Sequence, residues 1–459
     1  MRKKIAIINQ RYGLEVNGGS EQYTRLLAER LTEKNNVEIL TTCALDYTTW
    51  DNHFSEGTSV IHDVPVRRFP VDQPRDIQRF AQVSERVYTT GIGNAVMEAE
   101  WIDEQGPLCT KLIQYIKDHA DRYDVFIFVT YLYYLTVQGM GLVKDRSILI
   151  PTAHDEPPIR LHTYKSVFHA PIAIGYNTEE ERDFVHTFFG NNRIPSEILG
   201  IGIDIPDIID TDAFRKKYAL DNYLIYVGRI DESKGCAELF DFFTLYKEEN
   251  PSDLKLVLMG KEVMDVPTNP DIISLGFVSD EDKFNGIAGA KTLLLPSLFE
   301  SLSMSVLESL ALGVPVIVNG GCEVLRGHCL RSNAGMCYTS YDEFEKVLHF
   351  LLSHEDDYLA MSVNGANYVA KNYDWTIIMN KLQSLIDRIP PVSEIGIIPF
   401  RNFEERYFDL ISDFEHVQTE LDHIRGEING ICQSKTYKFA RALGKPLRAV
   451  RNRRTAPVR

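Results

Sequence analysis

At 459 residues the chain is too long for one ordinary hydrophobic core, and 44% hydrophobic with 25% charged residues is the balance of a globular protein, not of a disordered or membrane-spanning one. A formal charge of -16 excludes a general nucleic-acid binder, whose phosphate contacts demand a basic surface. Seven cysteines with no CxxC pair fit reduced thiols better than a disulfide framework, and no apolar run reaches the length of a bilayer span.

The chain opens with Met1-Arg2-Lys3-Lys4 and the apolar Ile5-Ala6-Ile7-Ile8, which resembles the start of a signal peptide. Asn9, Gln10 and Arg11 end that run early and no small-residue cleavage site follows, so the segment is expected to be the first β-strand of a cytoplasmic protein. Next comes Asn17-Gly18-Gly19-Ser20-Glu21 before an amphipathic stretch from Tyr23 to Leu31. Two glycines ahead of a helix let backbone approach a ligand, and the helix start offers N–H groups to an anion or a sugar hydroxyl. The same pair can be only a turn, and the full GxGxxG dinucleotide fingerprint is absent.

Short apolar runs at 4–9, 37–41, 125–129, 147–151 and 172–175, and again at 223–227, 254–259, 292–296 and 315–318, alternate with longer helical patterns. This is the signature of a parallel sheet wound with helices, repeated twice. The predicted fold is therefore α/β, with two doubly wound Rossmann-like domains, 1–205 and 206–390. A hinge is expected near residue 205, within the Gly- and Pro-rich run from Gly200 to Pro206. Facing domains of this kind form a cleft at the carboxyl ends of their strands, where ligands of such folds bind.

After the run 223–227 the stretch Gly228-Arg229-Ile230-Asp231-Glu232-Ser233-Lys234-Gly235 sets two cations five residues apart. An Arg that grips phosphate with paired N–H bonds and a Lys beside it would suit a diphosphate; the plain alternative is a solvated turn. After 292–296 come Glu300 and, on the next predicted helix, Glu308, anchored roughly 12 Å apart by the helical rise. That span suits a nucleotide sugar, one carboxylate on the sugar and the other on the ribose. Glu308 lies within Val306-Leu307-Glu308-Ser309-Leu310-Ala311-Leu312, where an unpartnered carboxylate would be costly to bury. Cys322, His328, Cys329 and Cys337 follow in a spacing that matches no zinc-ligand pattern, so buried thiols and no metal are expected.

Beyond Pro390-Pro391, apolar residues from Phe403 through Tyr407, Leu410, Phe414, Val417, Leu421, Ile424 and Ile428 to Ile431 are spaced 4, 3, 4, 3, a coiled-coil seam. A linker and coiled-coil helix are thus expected over 391–433, with self-association as their consequence. The tail, 434–459, holds nine Lys or Arg and no acid, leaving -25 on the 434 residues before Lys435. Such a tail fits peripheral contact with an anionic membrane face, an acidic partner or a solvated end.

Taken together, the glycine loop, the Arg229…Lys234 stretch and the two glutamates eight apart resemble the GT-B glycosyltransferases of family 4, a group of retaining enzymes, over roughly residues 1–388. The run Gly276-Phe277-Val278-Ser279-Asp280 is similar to that family's loop beside the donor base. The resemblance implies that Arg229 and Lys234 hold the donor diphosphate, that Glu300 contacts the transferred sugar and Glu308 the ribose. It further implies that Gly18 and Gly19 approach the donor from the other domain, that Ser301, Leu302 and Ser303 serve the sugar, and that His154 is the active-site histidine. Taken alone, a lone His at a strand end is more often a structural hydrogen-bonder. Two departures stand out: Ser303 where many members have glycine, and Asn319-Gly320-Gly321-Cys322-Glu323 in place of a small-residue turn.

The implied reaction retains anomeric configuration without cofactor or metal, using a nucleotide-sugar donor and a glycan, lipid-linked or protein acceptor in surface polysaccharide or glycoconjugate assembly. Two other readings stay open on residues alone: a nucleotide-sugar epimerase or hydrolase on the same scaffold, and a non-catalytic subunit of a sugar-transfer complex.

Overall fold

A computed structural model describes residues 2–16 and 18–390; the expected linker, the heptad seam from Phe403 to Ile431 and the basic tail lie outside the described residues. The first sheet contains β1 (Lys4–Ile8), β2 (Asn36–Thr42), β3 (Gly57–Ile61), β4 (Val64–Phe69), β5 (Val125–Val129), β6 (Ser147–Ile150), β7 (Ala173–Tyr176) and β8 (Ser196–Ile198). Its strands run in the order β3-β4-β2-β1-β5-β6-β7-β8, parallel except for the antiparallel edge strand β3. The second sheet contains β9 (Tyr223–Val227), β10 (Lys255–Met259), β11 (Ile272–Ser274), β12 (Leu293–Leu295), β13 (Val316–Asn319) and β14 (Gly335–Tyr338). It is parallel throughout, in the order β11-β10-β9-β12-β13-β14. The expected pair of doubly wound sheets is present, and the second has the strand order of a dinucleotide-binding fold.

The central strands read as unbroken apolar runs because helices cover both faces. In β1, Ile5 and Ile7 pack to one side with Leu27 and Leu31 of the helix Gly19–Leu31, while Ala6 and Ile8 join Phe126, Phe128 and Leu149 on the other. Five strands were not expected: β3, β4, β8, β11 and β14. All lie at or next to a sheet edge. Their sequences carry the marks of partial exposure: a Pro and two Arg in β4, a Gly at the head of β14, and only three residues in β8 and β11.

The helix Trp375–Asp387 departs from the expected division of the chain, which ran the second domain to residue 390. It packs on β7 and β8 of the first sheet. Leu382, Leu385, Ile386 and Ile389 are fully buried, Lys381 Nζ donates to the Ile198 carbonyl at 2.8 Å, and Lys3 Nζ donates to the Ile386 and Ile389 carbonyls at 2.7 and 2.6 Å. Among the described residues no helix is long and apolar enough to cross a membrane.

Strand order reverses between β1 and β5 in the first sheet and between β9 and β12 in the second. The loops leaving the carboxyl ends of these strands carry most of the candidate residues, which is where a parallel sheet opens a crevice.

Candidate active site

The loop leaving β9 forms a single turn, Glu232–Lys234, and passes into the helix Cys236–Glu249 through Gly235, whose φ is +76°. A Cβ on Gly235 would lie 2.5 Å from the Pro296 carbonyl oxygen, so only glycine lets this loop press against the one leaving β12. The close approach brings Lys234 Nζ to 2.7 Å from Glu300 Oε1, with both side chains mostly buried. Two residues called from separate motifs are thus one ion pair at the topological switch point of the second sheet.

Ser303 precedes the helix Met304–Ala311 with φ +70° and ψ 89°, and its side chain makes no capping bond to that helix. A left-handed backbone costs an L-residue about 1–2 kcal/mol, so this position favours the glycine that the family resemblance expected there. The hydroxyl leaves the first-turn N–H groups without a side-chain cap, three residues after Glu300 in the chain. Neighbouring residues hold the turn in place. The Leu302 carbonyl accepts from His328 Nε2 at 2.7 Å, while the Tyr368 hydroxyl donates to His328 Nδ1 at 3.0 Å. Burial, joined by the nearby Arg331, pushes the His328 pKa down to about 4, so the ring is neutral and serves as a strut. With both nitrogens occupied, His328 has no lone pair for zinc; Cys322 and Cys329 are buried beside it.

Glu308 is 6% exposed and pairs with Lys283 Nζ at 2.8 Å. Burial raises the Glu308 pKa, opposed by the charge and hydrogen bond of Lys283. The partner that an apolar helix face demanded exists, but sequence reasoning did not find it: Lys283 lies on the helix Asp280–Gly289, 25 positions before Glu308.

The Arg229 guanidinium instead turns to the first lobe: it hydrogen-bonds the Tyr47 hydroxyl, lies 5.1 Å from that ring's centroid, and stands 3.7 Å from Asp231. Tyr47 belongs to the first lobe, and Arg11 stacks on the same ring at 5.5 Å. Arg11 is paired with Glu21 at 2.6 Å, and the Glu21 carboxylate fills the space in which a Cβ on Gly18 would sit, 2.1 Å from Oε2. Gly18 therefore serves the Arg11–Glu21 pair, and nothing lies within 4 Å of the position a Cβ on Gly19 would take.

From the first lobe, His154 follows β6 and reaches across the cleft, its ring 5.8 Å from that of Phe299. Its Nε2 stands 3.3 Å from Glu156 Oε2, and Glu156 Oε1 accepts from the Tyr131 hydroxyl at 2.7 Å. Burial alone would depress the His154 pKa, but the hydrogen bond and charge of Glu156, helped by Glu300, outweigh it and hold the imidazole above its ordinary value despite Lys234. Ser301 ties the lobes: its carbonyl accepts from the Thr178 hydroxyl at 3.3 Å and its Oγ from Asn177 Nδ2 at 3.4 Å. Thr130 and Thr152, at the ends of β5 and β6, hold φ of +75° and +51°, rare for β-branched residues, with their hydroxyls 3.3 Å apart. Strain of this kind concentrates where function over-determines the backbone, and no sequence signal announces it.

Residues 210–368 match the family model described as glycosyl transferases group 1. Over 173 residues the chain is 25% identical to O-antigen chain mannosyltransferase B of Escherichia coli, covering 35% of this chain and 45% of that protein. The chain thus spans less than half the length of the curated relatives it matches. Sucrose-phosphate synthase from Thermosynechococcus elongatus superposes with a TM-score of 0.63 at 14% identity, covering 84% of this chain and 99% of that one. Anabaena HepE in complex with UDP and glucose gives a TM-score of 0.63 at 13% identity, over 84% and 100% of the two chains. The fold is that of the GT-B glycosyltransferases, and the segment 210–368, which carries Arg229, Lys234, Glu300 and Glu308, is similar to the glycosyl transferases group 1 family.

Proposed function

We propose that the protein is a retaining glycosyltransferase of family 4 that moves a sugar from a nucleotide-diphosphate sugar to a glycan, lipid-linked or protein acceptor in surface polysaccharide or glycoconjugate assembly. The observation that carries this reading is the convergence of Lys234 and Glu300 at a switch point, with His154 opposite them. A diphosphate seated over the start of the helix Met304–Ala311 would meet uncovered N–H groups and the cations Lys234 and Arg229. Glu308, with one oxygen engaged by Lys283, keeps the other for a ribose diol.

In this reading the bond from the anomeric carbon to the diphosphate breaks as the acceptor oxygen bonds to that carbon, and the acceptor proton passes to the departing diphosphate. Cations fixed beforehand stabilise the charge that develops there, without a metal. Relatives support the surface-glycan setting by name: one is an O-antigen chain mannosyltransferase, and a structural neighbour, WaaG, is described as involved in lipopolysaccharide biosynthesis.

The test is thermal-shift binding of a panel of nucleotide diphosphates and nucleotide sugars to the parent, Lys234→Ala and Glu308→Ala. One nucleotide family is expected to stabilise the parent, with both substitutions removing the shift; absence of any shift with every nucleotide overturns the reading. Product configuration by NMR then decides retention.

A further inference from the structure

His154 and Glu156 are two residues apart, and the Glu156 N–H donates to the His154 carbonyl at 2.9 Å, folding the carboxylate back towards its neighbour's ring. Pro157 follows. A residue before proline is driven out of the helical region, and Glu156 accordingly has φ -120° and ψ 158°. Its carboxylate is thereby suspended between two groups, the Tyr131 hydroxyl at 2.7 Å on Oε1 and His154 Nε2 at 3.3 Å on Oε2. Tyr131 is itself 1% exposed and cannot swing away.

An ionised carboxylate only accepts hydrogen bonds, so the Nε2 facing it carries a hydrogen. The remaining ring nitrogen, Nδ1, is sealed from solvent and has no hydrogen-bond partner. The Glu156 contact at Nε2 is therefore the polar contact that sets the ring's orientation.

We propose that Glu156, steadied by Tyr131, is a positioning residue that holds the His154 imidazole in one orientation at the cleft with its Nε2–H on the carboxylate, so that His154 does not act as a general base through Nε2. This rests on the sugar-transfer reading of the site. The charged groups facing the imidazole support the assignment. Glu156 approaches from its own loop and Glu300 from the loop after β12, Lys234 opposes them, and Glu181 of the helix Glu179–Phe189, whose pKa burial lifts to about 8, brings no charge at neutral pH. Tyr131, Tyr88 and Tyr164 surround the far side of Glu156 and bring no cation. Burial would raise the Glu156 pKa, but the His154 and Tyr131 hydrogen bonds hold it below its ordinary value, which keeps the carboxylate an acceptor for Nε2–H.

The experiment follows the imidazole nitrogens by NMR in full-length protein labelled with 15N-histidine, without substrate, in the parent, Glu156→Gln and Tyr131→Phe. Glutamine keeps an acceptor for Nε2–H and removes only the charge, so it preserves the turn. In the parent, His154 is expected to titrate above the ordinary histidine value of about 6.5. Glu156→Gln should bring that titration down, and Tyr131→Phe by less. An unchanged titration in Glu156→Gln overturns the proposal. On turnover, the alkaline fall of kcat should move to lower pH in Glu156→Gln by the same interval, with donor KM changed far less than kcat; a kcat profile that stays in place while the imidazole shifts overturns the positioning role. If the imidazole shifts but no nucleotide binds to the parent, the transferase reading fails while the positioning by Glu156 stands.

Discussion

Ser303 holds a φ of +70° that glycine would adopt without strain. Ser303→Gly is expected to stabilise the fold by up to about 1 kcal/mol, seen as a raised Tm, whereas Ser303→Val lowers it, because a β-branched residue resists this conformation more. Glu308 shows the opposite economy, a carboxylate tolerated inside the lobe through Lys283. Lys283→Met leaves that charge unpaired and should cost about 3 kcal/mol in chemical denaturation, while Lys283→Met with Glu308→Gln recovers most of it. Glu181 is 2% exposed, and its two oxygens accept from the backbone N–H groups of Ala153 and Asn177, each at 2.5 Å. Burial outweighs these bonds and pushes its pKa up to about 8. The native state therefore keeps a proton that the unfolded chain releases near pH 4.5, so this group's stabilisation is complete below that pH and lost as pH rises to about 8. Glu181→Gln should flatten this share of the Tm-against-pH slope and cost about 1–3 kcal/mol at pH 5, its amide NH₂ facing a backbone donor. An unchanged slope would place the proton elsewhere.

Loops, more than strands, decide the site at the level of elements. Gly235 allows the loops leaving β9 and β12 to touch, and this contact makes the Lys234–Glu300 pair. Gly235→Ala is expected to force the Pro296 carbonyl aside and to weaken nucleotide binding at least tenfold, about 1.4 kcal/mol, in isothermal titration, with the strands intact by circular dichroism. The glycine was visible in the sequence as the end of the Arg229…Lys234 stretch, but its opposing carbonyl was not. Edge strands followed the same rule. β4, with Pro65, Arg67 and Arg68, pairs with β2 because the neighbouring strand supplies the register, not because its own pattern calls for a strand.

For the whole molecule, the helix Trp375–Asp387 is the element that most changes the picture drawn from the chain order. It leaves the second lobe and seals the far edge of the first sheet, burying Ile378, Leu382, Leu385, Ile386 and Ile389. At about 1.5–3 kcal/mol for each apolar side chain withdrawn from water, a chain ending before Trp375 is expected to lose cooperative folding of both lobes. Differential scanning calorimetry should then show a broadened transition at lower temperature; an unaltered profile would show that the helix is dispensable. Across the cleft, the Tyr47–Arg229 contact and the Ser301 bonds to Asn177 and Thr178 join the lobes at the site itself. The periodic alternation of apolar runs and helical stretches was enough to specify two doubly wound sheets, because strands covered on both faces must be apolar throughout. The motif spacing likewise put Lys234 and Glu300 on loops that leave strands, and so at the carboxyl edge of the sheet whatever the rest of the chain does, with Glu308 on the helix that follows. What only the tertiary structure decided was pairing: Lys283 under Glu308, Glu156 behind His154, Tyr47 on Arg229 and the last helix on the first sheet. These contacts join residues 25 to 386 positions apart, or depend on a tight turn, and no local periodicity records which distant groups a fold will bring within hydrogen-bonding distance.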